Sequence, residues 1–241
     1  MRTFLSTFLG VCWAIIFFCF SLLFGILAFS RTLPLHWIAN IWSPVLHFLI
    51  GLKVRIKGQE NFPPKEKNAI YFFNHQSFLD IPIAQYLVKK PLYFILKKEL
   101  KHFPFVGWWA SYVGMVFIDR SNSANSKESL KQVADQIRNG KDIAIFPEGT
   151  RSTDGKIGKI KLGGIFLASE SSVPIIPIVI SGTEKAMPKG SFTFKPAEVK
   201  VKIGEPLQIP ANLSDENLEL WRHKIRALMQ TMKDEVDLES F

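Results

Sequence analysis

The sequence predicts an α/β domain preceded by an apolar helical segment, and three observations carry that expectation. Strand-like apolar runs recur along the chain from residue 52 onward. Helical patterns separate several of them, and strands alternating with helices are the pattern of an α/β domain. Ahead of them, residues 1–52 carry only two charged side chains, Arg2 and Arg31, and no acid. The order of the strands is not legible at this level.

From Thr3 to Ser30 the chain has no charge. A helix of that length exceeds the roughly 20 residues needed to cross a bilayer core. A second uncharged stretch, Thr32 to Leu52, contains Pro34, His36, Asn40, Pro44 and His47, together with Trp37 and Trp42. Tryptophan favours the headgroup level, so this stretch reads as an interfacial helix or the return leg of a hairpin. Residues 1–52 are therefore expected to be a membrane anchor of one or two helices, and residues 53–241 the folded domain. A cleaved secretory leader has an apolar core of about 7–15 residues, roughly half the first run, so a retained anchor is the expectation. The only cysteines, Cys12 and Cys19, lie in that run. On one helix they stand about 10.5 Å apart along the axis, too far for a disulfide. With no disulfide framework, a reducing cytosol suits the folded part.

The expected strands are Leu52–Lys57, Ala69–Phe73, Leu92–Leu96, Met115–Ile118, Asp142–Phe146, Ile175–Ile180 and Val199–Ile203. Over 126–139, Leu130, Val133, Ala134 and Ile137 fall on one helical face. Asn125 and Glu128 are expected to cap that helix in front, and Gly140 to close it. After Ser214, apolar residues from Leu218 to Met232 describe a final amphipathic helix. The formal net charge is +9, and all but two of the 30 basic residues follow residue 52. Such a balance favours anionic partners, whether nucleic acid, headgroups or phosphorylated substrates. No recognised nucleic-acid module appears, so nucleic acid is not expected as a partner.

Four stretches could carry chemistry. The first is Asn74-His75-Gln76-Ser77-Phe78-Leu79-Asp80. A spacing of five separates His75 from Asp80 by about 140° on a helix and puts them on opposite faces of a strand. They meet only if a turn intervenes, as it would if a strand ended near Phe73 and a helix began after Ser77. His75 would then be a general base at a helix mouth, with Asp80 orienting its ring. Ser77 to Asp80 is also a capping box, which accounts for Asp80 by helix stability alone. The second stretch, Lys97-Lys98-Glu99-Leu100 through Asp119-Arg120, reads as an anion site or as solvated charge. The third, Phe146-Pro147-Glu148-Gly149-Thr150-Arg151-Ser152, follows a buried-looking strand, where α/β ligand sites gather. Gly149 allows close backbone approach and Arg151 offers a fork for phosphate. The fourth is the apolar, proline-bearing Val173–Ile178.

Together and in this order, the four stretches resemble the glycerolipid acyltransferase family, and most nearly its lysophosphatidic acid acyltransferases, over about residues 53–205. The resemblance implies a mixed-sheet acyltransferase domain flanked by helices. It makes His75 and Asp80 the catalytic HX4D pair, and Lys97, Arg120, Glu148, Gly149, Thr150 and Arg151 the acceptor-binding residues. Members often carry a phenylalanine and paired lysines where this chain reads Ile160-Lys161-Leu162-Gly163, which leaves the part played by Lys161 open. The implied reaction moves an acyl chain from acyl-CoA or an acyl-carrier protein to the 2-hydroxyl of lysophosphatidic acid, giving phosphatidic acid for phospholipid synthesis. No cofactor or metal is implied. Glycerol 3-phosphate or another lysophospholipid is an alternative acceptor, and hydrolysis of a membrane lipid an alternative reaction. The expected location is a membrane rich in anionic lipid, the cell inner membrane if the source is bacterial. The catalytic domain would lie on the cytoplasmic face, with Lys53, Arg55 and Lys57 near the headgroups.

Overall fold

The computed structural model describes residues 2–104, 106–119 and 123–238; the side chains of Arg2 and of residues 123–127 are outside that description. The chain opens with helix α1 (Arg2–Leu27), turns, and returns through α2 (Leu33–Trp37) and α3 (Ser43–Ile50). A π-helical turn joins these last two over Ile38–Trp42. Its cause is Pro44, which has no N–H for the regular ladder. One residue earlier, the Ser43 N–H reaches back five residues to the Ile38 carbonyl. Gly51, at φ +82°, ends α3 in a left-handed cap.

The two legs pack as a hairpin. Trp13 Nε1 donates to the Trp42 carbonyl at 3.2 Å, and Phe17 and Trp42 are buried between the legs. The outer face of α1 stays apolar and open, with Phe4 78% and Ile16 62% exposed. Both legs are long and apolar enough to cross a membrane by length and composition.

Seven strands form one mixed sheet: β1 (Leu52–Lys57), β2 (Ile70–Phe73), β3 (Leu92–Lys97), β4 (Val116–Ile118), β5 (Asp142–Ile145), β6 (Ile175–Ser181) and β7 (Ala197–Ile203). Their spatial order is β1-β7-β6-β2-β5-β3-β4, and the β6–β7 pair alone is antiparallel. All seven runs expected from the sequence are strands, displaced at their ends by no more than two residues. The central β2, Ile70-Tyr71-Phe72-Phe73, is buried at every position, as a strand covered on both faces must be. At the sheet edge β1 alternates instead, and Arg55 pairs with Glu198 on β7. Part of the basic charge expected to face headgroups is therefore engaged within the fold.

The remaining helices are α4 (Asp80–Val88), α5 (Val106–Tyr112), α6 (Ser123–Arg138), α7 (Leu162–Ser171), α8 (Thr183–Ala186) and α9 (Asp215–Leu238). Helix α6 begins at Ser123, so Asn125 lies inside it and not at the cap, a correction to the expected start. Gly140 does follow its end with φ +96°. Ser214 caps α9, its hydroxyl accepting from the Asn217 N–H at 3.3 Å.

The topology gathers the candidate residues. Strands β2 to β6 all point the same way, so their carboxyl ends share one edge. The His75 stretch leaves β2, Lys97 ends β3, the Glu148 stretch leaves β5, and Thr183 follows β6. That edge is where ligands bind in open α/β sheets.

Candidate active site

Asn74 sets the position of the turn. Its side-chain amide pairs twice with the backbone of Ile180 on β6, Nδ2 to the carbonyl at 2.9 Å and Oδ1 from the N–H at 2.7 Å. It thereby extends the β2–β6 ladder by one side-chain rung, after which the chain is free to bend. His75 comes next, and its backbone is held on both sides by the Phe146–Ser152 stretch. Its N–H donates to Glu148 Oε1 at 3.0 Å, and its carbonyl accepts from the Ser152 N–H at 2.7 Å.

Asp80 is the first residue of α4, and its side chain is 1% exposed. Oδ2 lies 2.8 Å from His75 Nδ1 and also accepts the backbone N–H groups of Gln76, at 2.7 Å, and Ser77, at 2.8 Å. Oδ1 accepts the Thr183 hydroxyl at 2.6 Å. The capping box expected over Ser77 to Asp80 is not formed: α4 starts at Asp80 with Leu79 at its N-cap and no side-chain cap bond, and the Ser77 hydroxyl accepts from the Leu79 N–H. Asp80 Oδ2 instead ties the turn ahead of the helix to the imidazole. Because the carboxylate can only accept, Nδ1 carries the hydrogen and Nε2 the lone pair, a tautomer assigned from the hydrogen bonds. Nε2 has no hydrogen-bond partner among the described residues, and the His75 side chain keeps 15% of its surface open. The ring stacks on Phe146 with centroids 4.0 Å apart, which blocks rotation away from Asp80. Chemically, the arrangement can take a proton at Nε2 while Asp80 balances the charge formed.

Glu148 braces the site. Its oxygens accept from two backbone amides, Oε1 from His75 and Oε2 from Gly158 at 2.7 Å. Burial pushes its carboxyl above the ordinary carboxylate range, against the pull of those amides. Gly149 adopts φ +73°, and a Cβ there would stand 2.7 Å from Lys161 Nζ. The missing side chain is the space that Lys161 fills. The guanidinium of Arg151 lies 4.0 Å over the Phe78 ring. Its Nη1 is buried and has no hydrogen-bond partner among the described residues, so a donor is held ready for an incoming acceptor atom. Thr150 is exposed beside it. Lys97 is exposed at the end of β3 and makes no hydrogen bond or ion pair among the described residues. Arg120 lies outside the described residues.

Two features were not found by reading the sequence. Thr183 falls outside the four stretches, and nothing local ties it to a carboxylate 103 positions away. A wide basic cleft opens between the loop carrying Arg151 and helix α9, with Arg222 and Arg226 on its far wall. Their spacing of four is visible in the sequence, but such a pair is indistinguishable there from a solvated helix face.

Fold and site together define an α/β protein with a histidine–carboxylate pair at the carboxyl edge of its sheet, arranged for proton abstraction next to a basic cleft. Residues 53–181 match the family model described as Acyltransferase, and the chain belongs to that family. It is 36% identical over 173 residues to the chloroplastic 1-acyl-sn-glycerol-3-phosphate acyltransferase LPAT1 of Arabidopsis thaliana, an alignment covering 71% of this chain and 48% of that protein. It is 33% identical over 168 residues to the 1-acyl-sn-glycerol-3-phosphate acyltransferase of Pseudomonas aeruginosa, covering 68% and 62%. The chain therefore spans about half the length of the plant relative and somewhat more of the bacterial one. The crystal structure of the 1-acyl-sn-glycerophosphate (LPA) acyltransferase PlsC from Thermotoga maritima superposes with a TM-score of 0.83 at 30% identity, covering all of both chains.

Proposed function

We propose that the protein transfers an acyl chain from a thioester donor to the 2-hydroxyl of lysophosphatidic acid, forming phosphatidic acid. The observation that carries this reading is His75, fixed by Asp80 and stacked on Phe146, with Nε2 free among the described residues. The names of the relatives support the choice of acceptor. In the reaction, His75 Nε2 takes the hydroxyl proton as the oxygen attacks the thioester carbonyl. A C–O bond forms, the C–S bond breaks, and the departing thiolate receives the proton from the imidazolium. Asp80 stabilises that imidazolium without taking the proton. General-base action contributes about 10²–10⁴ in rate. Alignment of the two substrates supplies much of the rest.

Arg151, with its unsatisfied Nη1, is the proposed contact for the acceptor phosphate, with Lys161 close behind Gly149. Gly149, Thr150, Lys97 and Arg120 complete the proposed acceptor side, and Glu148 acts there through the backbone it holds. An apolar cavity of about 300 Å³ beside Phe146 and Pro147 offers room for part of an acyl chain. Purified protein incubated with labelled acyl-CoA, with and without lysophosphatidic acid, tests the reading by product mass. Free fatty acid formed at the same rate without acceptor would identify a hydrolase instead.

The reading also places the hairpin in a membrane, with the domain on its cytoplasmic side. Helix α1 touches the domain near both ends. The Phe194 N–H donates to Thr7 Oγ1 at 2.8 Å, and Tyr112 donates to the Ser30 carbonyl at 3.4 Å. Between them, Trp109 Nε1 donates to Ser21 Oγ at 3.2 Å. A helix running along the domain for about 35 Å cannot stand away from it across a bilayer. It fits immersion in the near leaflet, with the exposed face of Phe4, Phe8 and Ile16 toward the acyl chains. Protein with residues 1–52 removed is expected to lose stable attachment to vesicles. It should also lose more activity on bilayer-embedded acceptor than on a short-chain one. Accessibility of both ends of α1 from the same side of sealed vesicles is expected; opposite sides would mean a spanning helix.

A further inference from the structure

We infer that the cleft between the 150–161 loop and helix α9 binds the nucleotide end of a coenzyme A thioester, its diphosphate and ribose phosphate seated on Arg222, Arg226, Lys156 and Lys159. The inference rests on the acyl-transfer reading above and supplies the donor site that this reading lacks.

The cleft is built by a row on one helix. On α9, Arg222, Arg226 and Gln230 recur every four residues and so share one face. The adjoining face, with Ile225, Met229 and Met232, is buried and fixes the orientation of the helix. The row is tied to the loop at two points. Arg226 Nε donates to the Gly158 carbonyl at 3.2 Å, and the Ile157 N–H donates to Gln230 Oε1 at 2.9 Å. Gly158 in turn donates to Glu148, so α9 connects through two hydrogen-bonded residues to the backbone that carries His75.

Charge and shape then select the ligand. Besides Arg151 and Lys161, five more cations line the cleft: Lys156, Lys159, Lys189, Arg222 and Arg226. Two acids face them. Glu148 is occupied by backbone amides, and Asp154 by the Ser152 hydroxyl and the Lys156 N–H. Arg222 pairs with Glu219, whereas Lys159 and Arg226 have no acidic partner among the described residues. A single acceptor phosphate needs one arginine fork and a neighbouring lysine, and Arg151 and Lys161 already supply them. The remaining cations call for a second, more highly charged ligand. The cavity measures about 920 Å³, at the upper end of the roughly 300–1,000 Å³ typical of small-molecule sites. A concave basic cleft suits a nucleotide phosphate handle, whereas a carrier protein would dock on a flatter patch. Ser152 and Glu148 line the cleft, and both bond the backbone of His75. A ligand seated there therefore lies next to the segment that carries the base.

The test uses the full chain in detergent or vesicles. Lys159→Glu and Arg226→Glu are expected to raise KM for acyl-CoA at least tenfold and leave KM for lysophosphatidic acid within about twofold. The acyl thioester of pantetheine, lacking phosphates, should be used equally by wild type and both variants. Lys159 is exposed and makes no hydrogen bond or ion pair among the described residues, so its variant should fold even if the α9 substitution disturbs packing. Adenosine 3′,5′-bisphosphate should compete with acyl-CoA in the wild type, and calorimetric binding of CoA should weaken in the variants. That binding is read without turnover, so it stands even if the proposed acceptor proves wrong. A KM effect on the acceptor alone, or an equal effect on both substrates, would overturn the assignment. So would an effect confined to acyl-carrier protein, which would make the cleft a protein-docking surface.

Discussion

The turn around His75 and the cleft beside it lie along one edge of the sheet and treat polar groups in opposite ways. In the turn, the Asp80 carboxylate is buried and has four donors, and the His75 backbone is bonded at both its N–H and its carbonyl. In the cleft, Lys156, Lys159 and Lys161 are exposed, and a buried nitrogen of Arg151 has no partner among the described residues. A buried charge is tolerated only where hydrogen bonds replace water. Groups that complete those bonds within the fold are held in place before any substrate arrives. Cations left to solvent lose little on exposure and keep their bonding capacity for a ligand. The difference separates a part built to hold one geometry from a part built to be completed by what it binds.

The strongest way to break that comparison is to remove the fixed pair. His75→Ala should lower kcat by about 10²–10⁴ with little effect on CoA binding. Asp80→Asn should approach that loss, up to about 10⁴, because an amide can present a donor to Nδ1 and favour the wrong tautomer. Activity within tenfold of wild type in either variant, assayed in vesicles, would return Asp80 to a purely structural role in the turn. Arg151→Ala probes the open part. Losing one charge-assisted contact costs about 1.5–3 kcal/mol, which should appear as a ten- to hundredfold rise in KM for the phosphate-bearing acceptor. A fall in kcat at constant KM would place Arg151 with the fixed machinery instead.

Thr183 sharpens the comparison, since it touches Asp80 and no reacting atom. Thr183→Val keeps the shape and removes the donor, and should reduce kcat about tenfold, in keeping with about 1.5 kcal/mol for a hydrogen bond to a charged group. Thr183→Ser should restore it. Equal losses in the valine and serine variants would mean packing damage. The smallest effect concerns Glu148. Its folded-state carboxyl is raised by burial, so between the ordinary range and that raised value the native chain holds a proton that the unfolded chain has released. Stability therefore falls as pH rises through that window. Glu148→Gln should flatten the slope of Tm against pH there. Asp142, also raised by burial, contributes equally to both proteins and cancels in the difference. Parallel curves would show that the amide bonds outweigh burial.

The strands were legible because each central run is apolar apart from one end residue at most, Asp142 on β5 and Ser181 on β6, as burial on both faces requires. The turn between Phe73 and Asp80 was legible because a spacing of five fits neither helix nor strand. The start of α6 was misplaced by three residues because a capping-box pattern also fits inside a helix, where Asn125 lies. From the sequence alone, then, came the two apolar N-terminal stretches, the α/β alternation and the turn that joins His75 to Asp80, each written in neighbouring residues. Tertiary structure decided the strand order, the use of Glu148 as a brace, the bond from Thr183 to Asp80 and the meeting of α9 with the 150–161 loop. The reason is range. Periodicity and caps act over a few residues, while those contacts join positions from 10 to 103 apart, and only the packing of the sheet and its helices brings them together.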